Sequence, residues 1–274
     1  EEDLDIPLPF LLDVTFAPSL VENKMTQLNI PIWGAVRPSV LLWLVVENEG
    51  ERSIVGTSDD NQLIAQLEQS SRLRGVPLFL PVADLEDVNN INVDELWGLF
   101  PSSAEHSSKR YNADAIVIVR MKESADTHWV GNWLVQLKGE QYYGSLMDET
   151  SERVVAALVS DVADTLSKKY AIGQHVGIES DQLSIEVNEI NSFEDYVGIN
   201  SYLQSLPPVS KVNMTMVNAN KLYFYLSLHV NQQQFYEHIE LGSVLKPLIV
   251  DDLIMTPEEQ IETNPIERFV WISD

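Results

Sequence analysis

Seven consecutive apolar residues, Val40-Leu41-Leu42-Trp43-Leu44-Val45-Val46, constrain this chain more than any other feature. Successive side chains of a strand point to opposite sides of its sheet, so a strand wetted on one face alternates apolar and polar residues. A strand with no polar position must be covered on both faces, as in a sheet held between two layers of helices. Seven residues are too few to cross a membrane, which takes about 20. Asn48-Glu49-Gly50-Glu51 then turns the chain, and Arg52 to Gly56 returns as the partner strand of a hairpin.

Helices to cover such a sheet are legible on either side of it. Val154, Leu158, Val162 and Leu166 recur at every fourth residue, and Val155 and Val159 widen the stripe. That spacing predicts an amphipathic helix running from an Asp148 cap to Tyr170. A second helix, capped by Asp59 or Asp60, is predicted to about Arg72, with Leu63, Ile64 and Leu67 inward and Arg74-Gly75-Val76-Pro77 ending it. Upstream, Phe10 to Phe16 reads as a strand, and Pro18 opens a helix to about Asn29 with Leu20, Met25 and Leu28 as its stripe. Leu78 to Leu80 reads as a short buried strand, Asp84 to Asn92 as a solvated polar loop, and Ser102 or Ser103 as the cap of a short helix to Tyr111. Ala115 to Met121 is a further strand, and Trp129–Leu137 with Tyr142–Leu146 form a hairpin around Lys138-Gly139-Glu140.

After Gly173 the pattern resets. Leu183, Ile185 and Val187 alternate, Ser192 caps a helix with Asp195 three residues on, and Pro207-Pro208 stops it. Val212–Met216 and Leu222–Leu228 form a hairpin, Asn231 caps a helix to about Leu241, and Leu245 to Val250 closes the series. The order is βαββαβ, a ferredoxin-like arrangement. The predicted class is therefore α/β and α+β, in four parts. Residues 1–9 are a flexible acidic tail, 10–172 a three-layer α/β domain with a mixed sheet, and 173–250 a smaller ferredoxin-like domain. Residues 251–274 are a C-terminal extension, with a capping box at Thr256-Pro257-Glu258-Glu259 and a possible last strand at Phe269–Ile272.

Function classes narrow by composition and by motif. Against 42 Asp and Glu stand 17 Lys and Arg, a formal charge of −25, which repels nucleic-acid phosphates and anionic headgroups alike. The prediction is no nucleic-acid partner and no membrane insertion. With no cysteine, disulfides, thiolate nucleophiles and Cys-held metals are excluded. P-loop, dinucleotide-binding, nucleophile-elbow, zincin and EF-hand motifs are missing. The five histidines, His106, His128, His175, His229 and His238, include no helical i, i+4 pair, although His229 and His238 fall where they could meet. Glu105-His106 and Asp126 near His128 are sequence neighbours of no specificity, and the acids between Asp84 and Glu95 lack the glycine turn of a calcium loop. No catalytic residue, metal ligand or cofactor is expected. Trp129 and Trp133 share a strand face and read as core. Trp33, in a loop before Gly34, is the candidate exposed anchor, and Arg37 the candidate cation beside it, with pairing to a neighbouring carboxylate its more ordinary role.

Pro31-Ile32-Trp33-Gly34, Arg37-Pro38 and Leu41-Leu42-Trp43-Leu44 together resemble a domain-of-unknown-function family of Gram-negative envelope proteins carrying an IWG-x-x-RP-x-x-L-x-WL segment. The similarity continues through Leu73–Pro77, Tyr111-x-Ala113-Asp114 and Trp129-x-Gly131-x-Trp133, covering most of residues 10–172, and more loosely Asp195-Tyr196 and Leu203. The resemblance implies a periplasmic address and, since the chain opens at Glu1 without a signal peptide, a longer precursor. It brings no activity with it. The expectation is a non-catalytic interaction or scaffolding protein of the envelope, docking a partner protein at open β edges of the second domain. A small-ligand sensor or carrier is the alternative, and a hydrolase without a recognisable motif the third.

Overall fold

The computed structural model describes residues 13–28, 30–59, 62–172, 181–248 and 266–272. Its first part comprises α1 (Pro18–Gln27), β1 (Val40–Asn48), β2 (Glu51–Val55), α2 (Gln62–Arg74) and β3 (Leu78–Phe79). There follow α3 (Leu85–Asn90), α4 (Val93–Trp97), α5 (Pro101–Ser108), β4 (Ala115–Glu123), β5 (Trp129–Leu137), β6 (Glu140–Asp148) and α6 (Ser151–Tyr170). The sheet order is β2-β1-β4-β5-β6, with β3 adding to β1 beside β2. β1 runs parallel to β3 and β4, and the other neighbours are antiparallel, so the sheet is mixed.

The apolar run behaves as its composition demands. Val40, Leu42, Leu44 and Val46 pack on the face covered by α2 and α6, while Leu41, Trp43 and Val45 meet Ile91, Leu96 and Ala104 of the α3–α5 layer. Period-two alternation thus survives as a division between two cores. α6 buries Val154, Val155, Leu158, Val159, Val162, Ala163 and Leu166 along one stripe. Each large aliphatic buried this way contributes roughly 1.5–3 kcal/mol. Its cap is the Thr150 hydroxyl, which accepts from the Arg153 N–H at 3.3 Å, while Asp148 turns to the Glu149 N–H. α2 ends in a Schellman motif, with Val76 N–H on Ser71 O and Gly75 N–H on Arg72 O.

Four upstream expectations fail. Asp13 to Phe16 form no strand, and Phe10 to Leu12 lie outside the described residues. The α1 stripe is exposed at Leu20 and Leu28, so that helix buries no apolar face in the sheet domain. The polar loop at Asp84–Asn92 is instead α3, capped by the Asp84 carboxylate on the Glu86 and Asp87 N–H groups. α5 starts with Pro101 at its first turn rather than at a serine cap.

The second sheet is built from β7 (Gln182–Asn188), α7 (Phe193–Ser205), β8 (Val209–Asn218), β9 (Lys221–Leu228), α8 (Gln232–Leu241), β10 (Leu245–Pro247) and β11 (Glu267–Trp271). Ser192 and Asp195 form the capping box of α7. The βαββαβ order holds, but the sheet reads β10-β11-β7-β9-β8. β11 wedges between the first and last strands of the ferredoxin-like set, parallel to β7 and antiparallel to β10. Residues 267–271, expected in an extension, are therefore a central strand with Phe269 in the core. The capping box at Thr256–Glu259 lies outside the described residues.

The two sheets keep separate cores but their parts of the chain touch. His238 Nε2 of α8 lies 3.1 Å from the carbonyl of Tyr170, the last residue of α6. Lys138 pairs with Glu240 at 2.7 Å.

Candidate functional site

The motif segment 31–38 is an internal clamp. Arg37 donates to the carbonyls of Gly34 (3.2 Å), Arg74 (3.0 Å) and Gly75 (2.9 Å), with a longer contact to Trp33 O at 3.4 Å. Its guanidinium lies 4.3 Å from the centre of the Trp33 ring. The guanidinium fork thus ties the loop before β1 to the C-terminus of α2, where orphan carbonyls need donors. No carboxylate takes part, contrary to the pairing expected from sequence, and burial alone lowers the Arg37 pKa. Gly75, at φ +62°, belongs to the same fit, since a Cβ there would sit 2.7 Å from Arg37 Nη1. Trp33 is half-buried against the α2/α6 core, and its indole N–H faces inward without an acceptor among the described residues. It is a packing residue rather than the exposed anchor its loop position suggested.

Arg37→Ala is expected to destabilise the chain by about 2 kcal/mol, the scale of two or three charge-assisted bonds at a half-exposed site. Arg37→Lys should recover little of that, because one ammonium cannot serve both loops. Urea unfolding of the three chains checks this.

The acidic stretch is likewise structural. Asp87 is buried on α3 and accepts from Tyr111 Oη at 2.5 Å, Ala83 N–H at 3.0 Å and Arg110 Nη1 at 3.3 Å. Arg110 also holds Asp84 through both nitrogens at 2.9 Å. That hydrogen bond, chiefly, pulls the Asp84 carboxyl down to about 2, and burial with the Asp87 contact pushes the Tyr111 phenol up to about 12. A carboxyl held below its ordinary 3.8 stabilises the fold fully above that value and loses its contribution as the pH falls towards 2. Asp84→Asn keeps the cap but removes the charge. Its unfolding midpoint should therefore change less than the native one between about pH 4 and pH 2.

The histidines and paired acids singled out by the sequence have separate partners among the described residues. Glu105 accepts from the Gln136 amide, and His128 Nδ1 lies 2.9 Å from the Asp126 carbonyl. His238 is buried between the carbonyls of Gln234 and Tyr170. His229, its pKa lowered by burial, lines a hollow of about 410 Å³ with Ile32, Gly34, Ile172 and Pro207. His175 lies outside the described residues. Among the described residues no three His, Asp or Glu side chains gather as a metal site, and no helix is long and apolar enough to cross a membrane.

Open sheet edges carry recognition chemistry of their own. β2 and β10 are short edges of five and three residues, and β10 carries Pro247. β8 is long but broken by register shifts at Val209/Lys211 and Met214/Met216, and it carries Lys211. β6 differs. Its pairing with β5 is unbroken from Trp129↔Asp148 to Leu137↔Glu140, and it contains neither proline nor lysine. Tyr142 and Leu146 pack inward, whereas Tyr143 and Met147 stand 61% and 68% exposed on the opposite face. Gly144 is required where it sits, because a Cβ would fall 2.2 Å from the Trp133 ring that covers it. The sequence named Trp133 as core, and its indole N–H reaches Asp161 at 3.2 Å.

No protein-family model matches the chain, and no curated protein matches it. Among solved structures, a ribosomal subunit interface protein from Coxiella burnetii is similar at 9% identity, covering 47% of this chain and 94% of that one, with TM-score 0.23. An uncharacterised protein follows at 11% identity, 48% and 89% coverage and TM-score 0.20. Homoserine dehydrogenase of S. aureus matches at 11% identity over 39% of this chain and 29% of that one, with TM-score 0.17. At such scores these likenesses carry no argument about function.

Proposed function

We propose that this chain is a non-catalytic protein-interaction module of the bacterial envelope, periplasmic as the family resemblance implies, which binds an extended segment of a partner protein along β6. The supporting observation is the state of that edge. Natural sheets blunt long edges with bulges, proline or lysine, because unpaired N–H and C=O groups recruit further strands. β8 shows such blunting and β6 shows none. The preferred edge is therefore in the first sheet, not the second as the sequence suggested.

The occupant is a different protein rather than a second copy. An antiparallel β6 pair would set Glu140 of each copy near Asp148 of the other, between molecules of charge −25. Directly opposed like charges destabilise strand pairs. A partner strand flanked by Lys or Arg fits instead, and β-augmentation supplies its affinity through main-chain bonds.

Capture from a native envelope extract tests this reading with the purified chain and a Tyr143→Lys, Met147→Lys version as baits. Both positions are exposed, so the fold is kept while the edge is blunted. A stoichiometric partner retained by the native chain and lost by the variant is expected. A partner held equally by both would place docking elsewhere.

A further inference from the structure

Beside Trp97, the last residue of α4, lies a pocket of about 150 Å³ on the sheet, lined by Trp97, Arg120, Lys122, Val130 and Asn132. Arg120 and Lys122 are two apart on β4 and so share a face, and their cross-strand partners on β5 are Asn132 and Val130. Arg120 spends its donors on neutral acceptors, Nη1 on Trp97 O at 2.9 Å and Nε on Asn132 Oδ1 at 3.2 Å, which leaves Nη2 free. The Asn132 amide gives one N–H to Ser145 at 2.8 Å and retains the other. Of the neighbouring acids, Glu49, Glu51 and Glu123 line a separate hollow on the other side of Lys122, and two are engaged elsewhere. Glu47, across the strand pair from Lys122, is held by Arg52 at 2.9 Å, and Arg52 holds Asp94 as well. Trp97 is flanked by both guanidiniums, at 4.5 Å from Arg52 and 5.9 Å from Arg120.

Among the described residues neither Arg120 nor Lys122 makes an ion pair, in a chain with 42 carboxylate side chains to offer. Two unpaired cations side by side, with a free amide N–H and a half-enclosing aromatic wall, form a donor set without an acceptor. The pocket holds roughly five water volumes at ~30 Å³ each. We infer that it is a binding site for a compact oxyanion, a carboxylate or a phosphate group, taken by the free Arg120 and Asn132 donors with Lys122 closing the rim. Guanidinium forks and amides match the planar or tetrahedral oxygens of such groups, and charge-assisted bonds are the strong ones. The site is independent of the β6 edge.

The test is NMR titration of the ¹⁵N-labelled chain with inorganic phosphate and, separately, with acetate, at ionic strength fixed with chloride. Saturable shifts are expected at the Asn132 side-chain amide, the Arg120 Nε–H and the Trp97 indole. Lys122→Met, at an exposed position that leaves the fold intact, should weaken the response roughly tenfold, and Arg120→Gln should abolish it. The stronger of the two anions identifies whether the group is a phosphate or a carboxylate. No saturable shift with either anion overturns the inference, as does a response matched by added chloride or unchanged in both variants.

Discussion

Trp43→Ala is expected to lower stability by about 4 kcal/mol, the largest loss from any single side chain in the first sheet. Trp43 has no exposed surface and sits centrally on the β1 face turned to the α3–α5 layer. Truncation removes the indole's transfer energy and leaves a cavity that short helices pinned to the sheet cannot collapse into. It also orphans the hydroxyl of Ser108, buried on α5, to which the indole N–H donates at 2.9 Å. Edge-to-face contact with Tyr111, centroids 6.2 Å apart, goes as well. Trp43→Phe keeps most of the apolar volume and should cost about 2 kcal/mol, mainly through the unpaired hydroxyl and a smaller void. Guanidinium unfolding monitored by circular dichroism distinguishes the two. A loss below about 1 kcal/mol for the alanine variant would mean that the α3–α5 layer is not a packed core.

Asp87→Ala should cost about 3 kcal/mol, although the residue lies in a stretch whose composition reads as solvated surface. Its carboxylate is buried and serves three donors on two segments, so removal strands the Tyr111 hydroxyl, the Ala83 N–H and one arm of Arg110 together. Losing one member of a buried charged network costs more than the network contributes as a whole, because the others keep their desolvation penalty. Ala83 has positive φ, at 57°, and the bond from its N–H to Asp87 holds that turn. Asp87→Asn retains an acceptor but not the charge that faces Arg110, and should fall between the native chain and the alanine variant. Thermal unfolding of the three at pH 7 gives the order.

These two residues mark where the sequence was readable and where it was not. Trp43 lies in the run whose lack of alternation announced burial on both faces, and the long stripe of α6 spans enough turns to show its period. The βαββαβ order followed from alternation and capping residues in the same way. Asp87 sits on a six-residue helix, under two turns, in which no apolar period can develop. What compensates its burial is Arg110, 23 positions away, a pairing that local pattern does not encode. Arg37 stood out as a cation in an acidic chain, but its partners are backbone carbonyls, which no side-chain pattern advertises. β11 is central because it pairs with β7, a strand far earlier in the chain, so nothing in residues 267–271 marks them as central rather than edge. The Arg120 pocket was hidden by the strength of its own strand. Ala115 to Met121 reads as a strand, and the arginine within it becomes informative only once it is seen to line a pocket with Trp97.

The free β6 edge carries the functional proposal, and site-specific photocrosslinking in intact cells reaches it most directly. A photoreactive phenylalanine analogue at Tyr143 places the probe on the edge strand, and the same analogue at Leu73, 79% exposed on α2, serves as the control. The account predicts one discrete adduct with another envelope protein from position 143, absent from position 73. No adduct from position 143, or the same adduct from both positions, would contradict it.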